Sequence, residues 1–88
     1  MQKTFTIINE LGLHARAAAT FVKTASKFVS SINVTKESLT VNGKSIMGVL
    51  MLAGSKGVKI TIDATGSDSI DAINTLGNLI NDKFGEDK

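Results

Sequence analysis

Residues 58–64, Val-Lys-Ile-Thr-Ile-Asp-Ala, alternate apolar and polar side chains without a break, and few patterns restrict a chain more. Successive side chains of a strand point to opposite faces, so this run predicts a strand with one face buried and the other in water. A sheet built from such strands is covered on one side only. Thr4 to Ile8 has the same character, with Phe5 and Ile7 on one face and Thr4, Thr6 and Ile8 on the other, and it ends in the loop Asn9-Glu10-Leu11-Gly12. Ile32 to Lys36 and Leu39 to Val41 add two more strands. Glu37-Ser38 must turn between them without a glycine, a weak hairpin signal.

The remaining apolar residues repeat at helical spacing. Ala18, Phe21, Val22, Ala25 and Phe28 or Val29 mark one face of a first helix. Ser30 and Ser31 break that pattern. Ser45 stands where an N-cap belongs, before a short helix carrying Ile46, Met47, Val49, Leu50 and Leu52. A last helix, capped by Ser67 or Asp68, aligns Ile70, Ile73, Leu76, Ile80 and Phe84; Gly77 weakens its interior and Gly85 is a plausible stop. Glu86-Asp87-Lys88 is expected to fray. The order strand, helix, strand, strand, short helix, strand, helix is α+β: one mostly antiparallel sheet with helices on one face. Thr4, Thr6, Asn33, Thr35, Lys59, Thr61 and Asp63 would form its solvated face.

With 88 residues, the chain reads as one domain, 1–88, and with four Phe but no Trp or Tyr its core must be aliphatic. The absence of cysteine removes disulfides and thiolate metal sites, which fits a reducing cytoplasm. No secretory leader pattern opens the sequence, and no apolar run reaches the roughly 20 residues of a spanning helix. A formal charge of +2, spread along the chain, gives no footprint for nucleic acid. The loop 53–57, Ala-Gly-Ser-Lys-Gly, lacks the spacing of a nucleotide-binding P-loop.

Chemistry concentrates at Gly12-Leu13-His14-Ala15-Arg16. The sole histidine sits two residues before an arginine, at or just before the first helix. Unpaired amides and the dipole of a helix N-terminus favour an anion. Imidazole is a nucleophile near neutral pH that can hold a phosphoryl group as a labile phosphoramidate. Such a group would meet the amides of Ala15, Arg16 and Ala17 and the Arg16 guanidinium. The plainer reading is a solvated loop histidine beside an unrelated basic residue. Ser45 also has two readings, an ordinary cap or a regulated hydroxyl. In so short a helix Ile46, Met47 and Leu50 cannot all face inward, so part of Ile46 and Met47 is expected to be an exposed patch for partners.

Gly12 to Arg16, followed about thirty residues later by Lys44-Ser45-Ile46-Met47-Gly48-Val49, resembles the HPr family, the histidine-containing phosphocarriers of the bacterial phosphoenolpyruvate-dependent sugar phosphotransferase system. The resemblance runs from Lys3 through the last helix. It implies an open-faced sandwich of four strands with three helices on one side. It further implies that His14 accepts and donates the phosphoryl group through Nδ1, that Arg16 stabilises its charge, and that enzyme I and sugar-specific EIIA proteins or domains are the partners. Thr20, Lys23, Ile46, Met47 and Leu50 are the partner-binding candidates. In some members the serine at position 45 is phosphorylated by an HPr kinase/phosphorylase, and a transcriptional regulator joins the set of expected partners. The chain would be a monomeric carrier without metal or cofactor, acted upon by enzymes and not itself one. One departure stands out, because the family usually has proline where this chain has Ala17.

Alternatives differ in what they require. HPr-like proteins also serve nitrogen-related or purely regulatory branches, and the regulatory kind can lack the histidine that is present here. A nucleic-acid-binding domain needs stacking aromatics on its sheet, where Phe5 is the one candidate. A histidine-nucleophile hydrolase needs a second acid or base, which the motif does not supply.

Overall fold

The computed structural model describes all 88 residues. Its elements are β1 (Gln2–Thr6), α1 (Ala15–Ala25), β2 (Ser31–Lys36), β3 (Leu39–Asn42), α2 (Ile46–Met51), β4 (Lys59–Thr65) and α3 (Ser69–Asn81), followed by a single 3₁₀ turn at Lys83–Gly85. The strands form one sheet in the order β1-β4-β2-β3, and every neighbouring pair is antiparallel. Residues 59–64 of the alternating run lie in the central strand β4, which starts one residue later than the pattern and runs on to Thr65, with Ile60 opposite Phe5 and Ile62 opposite both Lys3 and Val34. Three helices cover the face carrying Phe5, Ile32, Val34, Ile60, Ile62 and Ala64, all buried. On the other face Thr4 and Thr61 share a hydroxyl hydrogen bond of 2.9 Å, and Thr35 and Thr40 one of 2.8 Å.

Strand boundaries depart from the sequence pattern where the ladder takes residues that alternation does not mark. Strand β1 starts at Gln2, because Gln2 and Lys3 pair with Asp63 and Ile62, and it stops at Thr6 instead of Ile8. Beyond it Ile7 donates to the Val58 carbonyl at 2.9 Å and accepts from the Gly57 amide at 2.7 Å. The glycine-free hairpin between β2 and β3 holds Glu37 at φ +55°, the left-handed region that Glu occupies only under constraint.

Helix α1 ends at Ala25, with Phe28 half-buried and Val29 left 78% exposed, so of the two alternatives Phe28 is the inward residue. The chain turns there because Asp68 reaches across to it. Asp68 occupies the N-cap of α3, but its carboxylate accepts from the amides of Val29 (2.9 Å) and Ser30 (3.0 Å) and from the Ser30 hydroxyl instead of capping its own helix. Two residues assigned to the face of α3 depart from it. Ile70 lies in the first turn and is 60% exposed, and Phe84 is buried from a separate 3₁₀ turn, at φ +56°. Gly77 has a packing reason, since a Cβ there would lie 2.4 Å from the Phe5 ring. The lost helix propensity is exchanged for close contact between α3 and the sheet.

Candidate functional site

Helix α1 begins at Ala15 with His14 as its N-cap, in extended geometry at φ −74° and ψ 178°, and the His14 side chain makes no cap hydrogen bond. The first bond of the helix runs from the Ala18 amide to the His14 carbonyl, 2.8 Å. The amides of Ala15, Arg16 and Ala17 therefore precede the helical ladder and are free of it. The approach to this terminus is fixed by Gly12, at φ +63°, where a Cβ would lie 2.2 Å from the Gly54 carbonyl oxygen. The Leu13 amide donates to that same oxygen at 2.7 Å. The His14 ring is 28% exposed and shares an open cleft with Arg16, Ala15, Glu10, Leu11 and the residues 85–88.

The 86–88 segment, expected to fray, is instead docked on the site. The Glu10 amide donates to the Lys88 carbonyl at 2.9 Å, and one carboxylate oxygen of Glu86 is hydrogen-bonded to His14 Nε2. The other oxygen of Glu86 accepts from the Asn9 side-chain amide at 2.8 Å, which also donates to the Gly12 carbonyl at 2.9 Å. Asn9 is fully buried, and its Oδ1 has no partner. Both of its N–H donors face acceptors, so this amide orientation is the one the surroundings require. Burial pushes the Glu86 carboxyl upward, but the hydrogen bonds from Asn9 and His14 and the positive charges of His14 and Arg16 outweigh it and hold its pKa below the ordinary value. Sequence reasoning missed both residues. Glu86 lies 72 positions from the histidine it contacts, and neither carries a local motif.

Helix α2 runs back along α1. At its start Lys44 Nζ donates to the Phe28 carbonyl at 2.7 Å, and past its end Gly54 packs on Leu13. Ser45 is its N-cap, its hydroxyl accepting from the Gly48 amide at 3.1 Å. Ile46 and Met47 are 45% and 70% exposed, whereas Leu50 is half-buried against the core, and the apolar surface continues through the exposed Met51, which sequence reasoning did not assign. On α1, Lys23 is exposed, and Thr20, half-buried, donates to the Arg16 carbonyl at 3.0 Å. The structure thus brings His14, Arg16 and the amides of residues 15–17 together at one end of α1, and it places Ser45 toward the other end of that helix.

This arrangement has close counterparts. A family model described as the PTS HPr component phosphorylation site matches residues 1–82. The chain is 50% identical to the phosphocarrier protein HPr of Neisseria meningitidis over 86 residues, which is 98% of this chain and 97% of that one. Among solved structures it superposes on HPr-C-His from Thermoanaerobacter tengcongensis with a TM-score of 0.96 at 49% identity, covering 100% of this chain and 99% of that one. An HPr dimer from the same organism matches with a TM-score of 0.80 at 51% identity, over 93% of this chain and 94% of that chain.

Proposed function

Because the chain belongs to the HPr family, phosphocarriers of the phosphotransferase system and not catalysts, we propose that His14 is the residue that carries the phosphoryl group. Enzyme I, charged from phosphoenolpyruvate, is the donor, and sugar-specific EIIA proteins or domains are the acceptors. The chain acts as one domain and as a monomer in the cytoplasm. What supports this reading is a single conjunction: the partly exposed His14 ring at the start of α1, beside the free amides of Ala15, Arg16 and Ala17 and sharing a cleft with Arg16. On loading, the nitrogen–phosphorus bond on the donor histidine breaks as one forms on His14; on the outward step the bond on His14 breaks as one forms on the acceptor's nucleophile, so each step balances with the two partners alone. The amides and Arg16 stabilise the charge on the equatorial oxygens as the group passes between nitrogens. Leu50 belongs to the partner surface only through its exposed edge; Ile46, Met47, Thr20 and Lys23 supply the rest. Ser45 is the regulatory hydroxyl, modified by an HPr kinase/phosphorylase and read by a transcriptional regulator.

Incubation with enzyme I and labelled phosphoenolpyruvate tests this directly. Acid-labile label is expected on the chain and absent from His14→Ala, whose circular dichroism should match the parent. Arg16→Ala should slow labelling by more than it weakens enzyme I binding, because the charge it faces grows during transfer. Label persisting on His14→Ala would end the assignment.

A further inference from the structure

We propose that Glu86, held in place by Asn9, is a positioning residue that keeps the His14 proton on Nε2 and so presents Nδ1 as the reacting nitrogen; this rests on His14 being the phosphoryl acceptor. The geometry leaves little choice. A carboxylate accepts hydrogen bonds and cannot donate, so the contact between Glu86 and Nε2 requires the proton to be on that nitrogen. In the neutral ring, the form that reacts, the lone pair is then on Nδ1; the protonated ring that adds its charge to Glu86 must first give up the Nδ1 proton. Every donor and acceptor around Glu86 supports its ionised form: Asn9 offers it an N–H from a fully buried side chain, and Arg16 adds positive charge from the first turn of α1. The other charged groups lining the cleft are Glu10 from the preceding loop and Asp87 and Lys88 from the same segment as Glu86.

The carboxylate acts through the ring during the step itself. As Nδ1 bonds to phosphorus, the donor nitrogen recovers its electron pair and no proton leaves His14, so the phosphorylated ring carries a positive charge shared with Nε2–H. Glu86 faces that nitrogen and is a better partner for it in the charged product than in the neutral ring. Hydrogen bonds with an ionised partner strengthen when the donor becomes charged. On the outward step the retained Nε2 proton lets His14 depart as a neutral imidazole. A carboxylate buttressing the far nitrogen of a reacting histidine is a general way of fixing tautomer and orientation.

The test is Glu86→Gln, which preserves size and can still accept from Nε2–H, but can equally donate to Nε2 and stabilise the other tautomer. Imidazole ¹⁵N shifts of the neutral ring should place the proton on Nε2 in the parent and show a mixture of the Nε2–H and Nδ1–H tautomers in the variant. Transfer from enzyme I should lose roughly ten- to a hundredfold in kcat, the scale of one charge-assisted hydrogen bond, with KM within about twofold. Glu86→Lys, which places only a donor opposite Nε2, should move the proton to Nδ1 and suppress transfer further. Unchanged tautomer populations in Glu86→Gln would overturn the proposal, as would a loss confined to KM, or a shifted tautomer with kcat intact. Failure of the parent itself to take label would instead sink His14 as acceptor, a result the nitrogen shifts do not depend on.

Discussion

Gly12 shows how one residue sets the geometry of the site. Its φ of +63° is left-handed, and a methyl group there would collide with the Gly54 carbonyl that accepts from Leu13. Gly12→Ala should therefore destabilise the protein by about 1–3 kcal/mol, the cost of backbone strain plus a forced shift. Transfer should fall with it, since His14 is two residues on. Urea midpoints together with labelling rates check this, and an alanine variant of parent stability would mean that the loop relaxes without cost. At this scale the sequence was informative where chemistry is local: His14, Arg16 and Ser45 occupy the places their neighbours imply. It was silent on Asn9 and Glu86, because a buried amide bridging to a residue 77 positions away leaves no periodicity or motif.

Elements were legible where burial alternates or repeats, and less so where tertiary contacts override the pattern. The alternating 58–64 run and the apolar stripe of α1 specify their elements directly, while the ends of α1 and α3 are set by Asp68 and by the turn at Phe84, which no local pattern encodes. The first turn of α1 yields one prediction. The Ala17 amide lies ahead of the helical ladder, so Ala17→Pro removes no intrahelical bond and should stabilise the fold by about 0.4–1 kcal/mol through the unfolded chain. Labelling should persist through Arg16 and the amides of Ala15 and Arg16, slowed by loss of the Ala17 N–H, and a lower thermal midpoint would show that the ring does not fit the buried position. Helix α2 yields another. Its cap hydroxyl accepts from Gly48, a role aspartate also performs, so Ser45→Asp should fold. Its charge would stand beside exposed Ile46 and Met47 while Lys44 is already engaged with the Phe28 carbonyl. Burying that charge against a partner without compensation is costly. Transfer from enzyme I should drop at least about tenfold, as a loss of about 1.4 kcal/mol in docking implies. A parent-like rate would return Ser45 to being a cap alone.

Across the molecule, two carboxylates join parts of the chain that are distant in sequence. Glu86 fastens the 82–88 segment to the start of α1, and Asp68 fastens the start of α3 to the chain leaving α1. The hydrogen bond from Ser30, with those from the nearby amides, holds Asp68 below its ordinary value of 3.8, and Glu86 is held below 4.5 by the contacts that overcome its burial. A carboxyl whose pKa is depressed on folding contributes stability that is complete above its unfolded value and is lost as pH falls through the folded one. The acid limb should therefore begin near pH 4.5 for Glu86 and near 3.8 for Asp68, each loss being complete only below the depressed folded value. Above that range these two groups should add no slope. Glu86→Gln and Asp68→Asn should each be less stable than the parent at neutral pH and converge on it at the acid end, because protonation removes from the parent what the substitution has already taken away. Urea midpoints measured from about pH 2 to pH 7 decide the matter. Curves that run parallel to the parent throughout would mean that neither carboxylate is better held in the folded protein than in the unfolded chain.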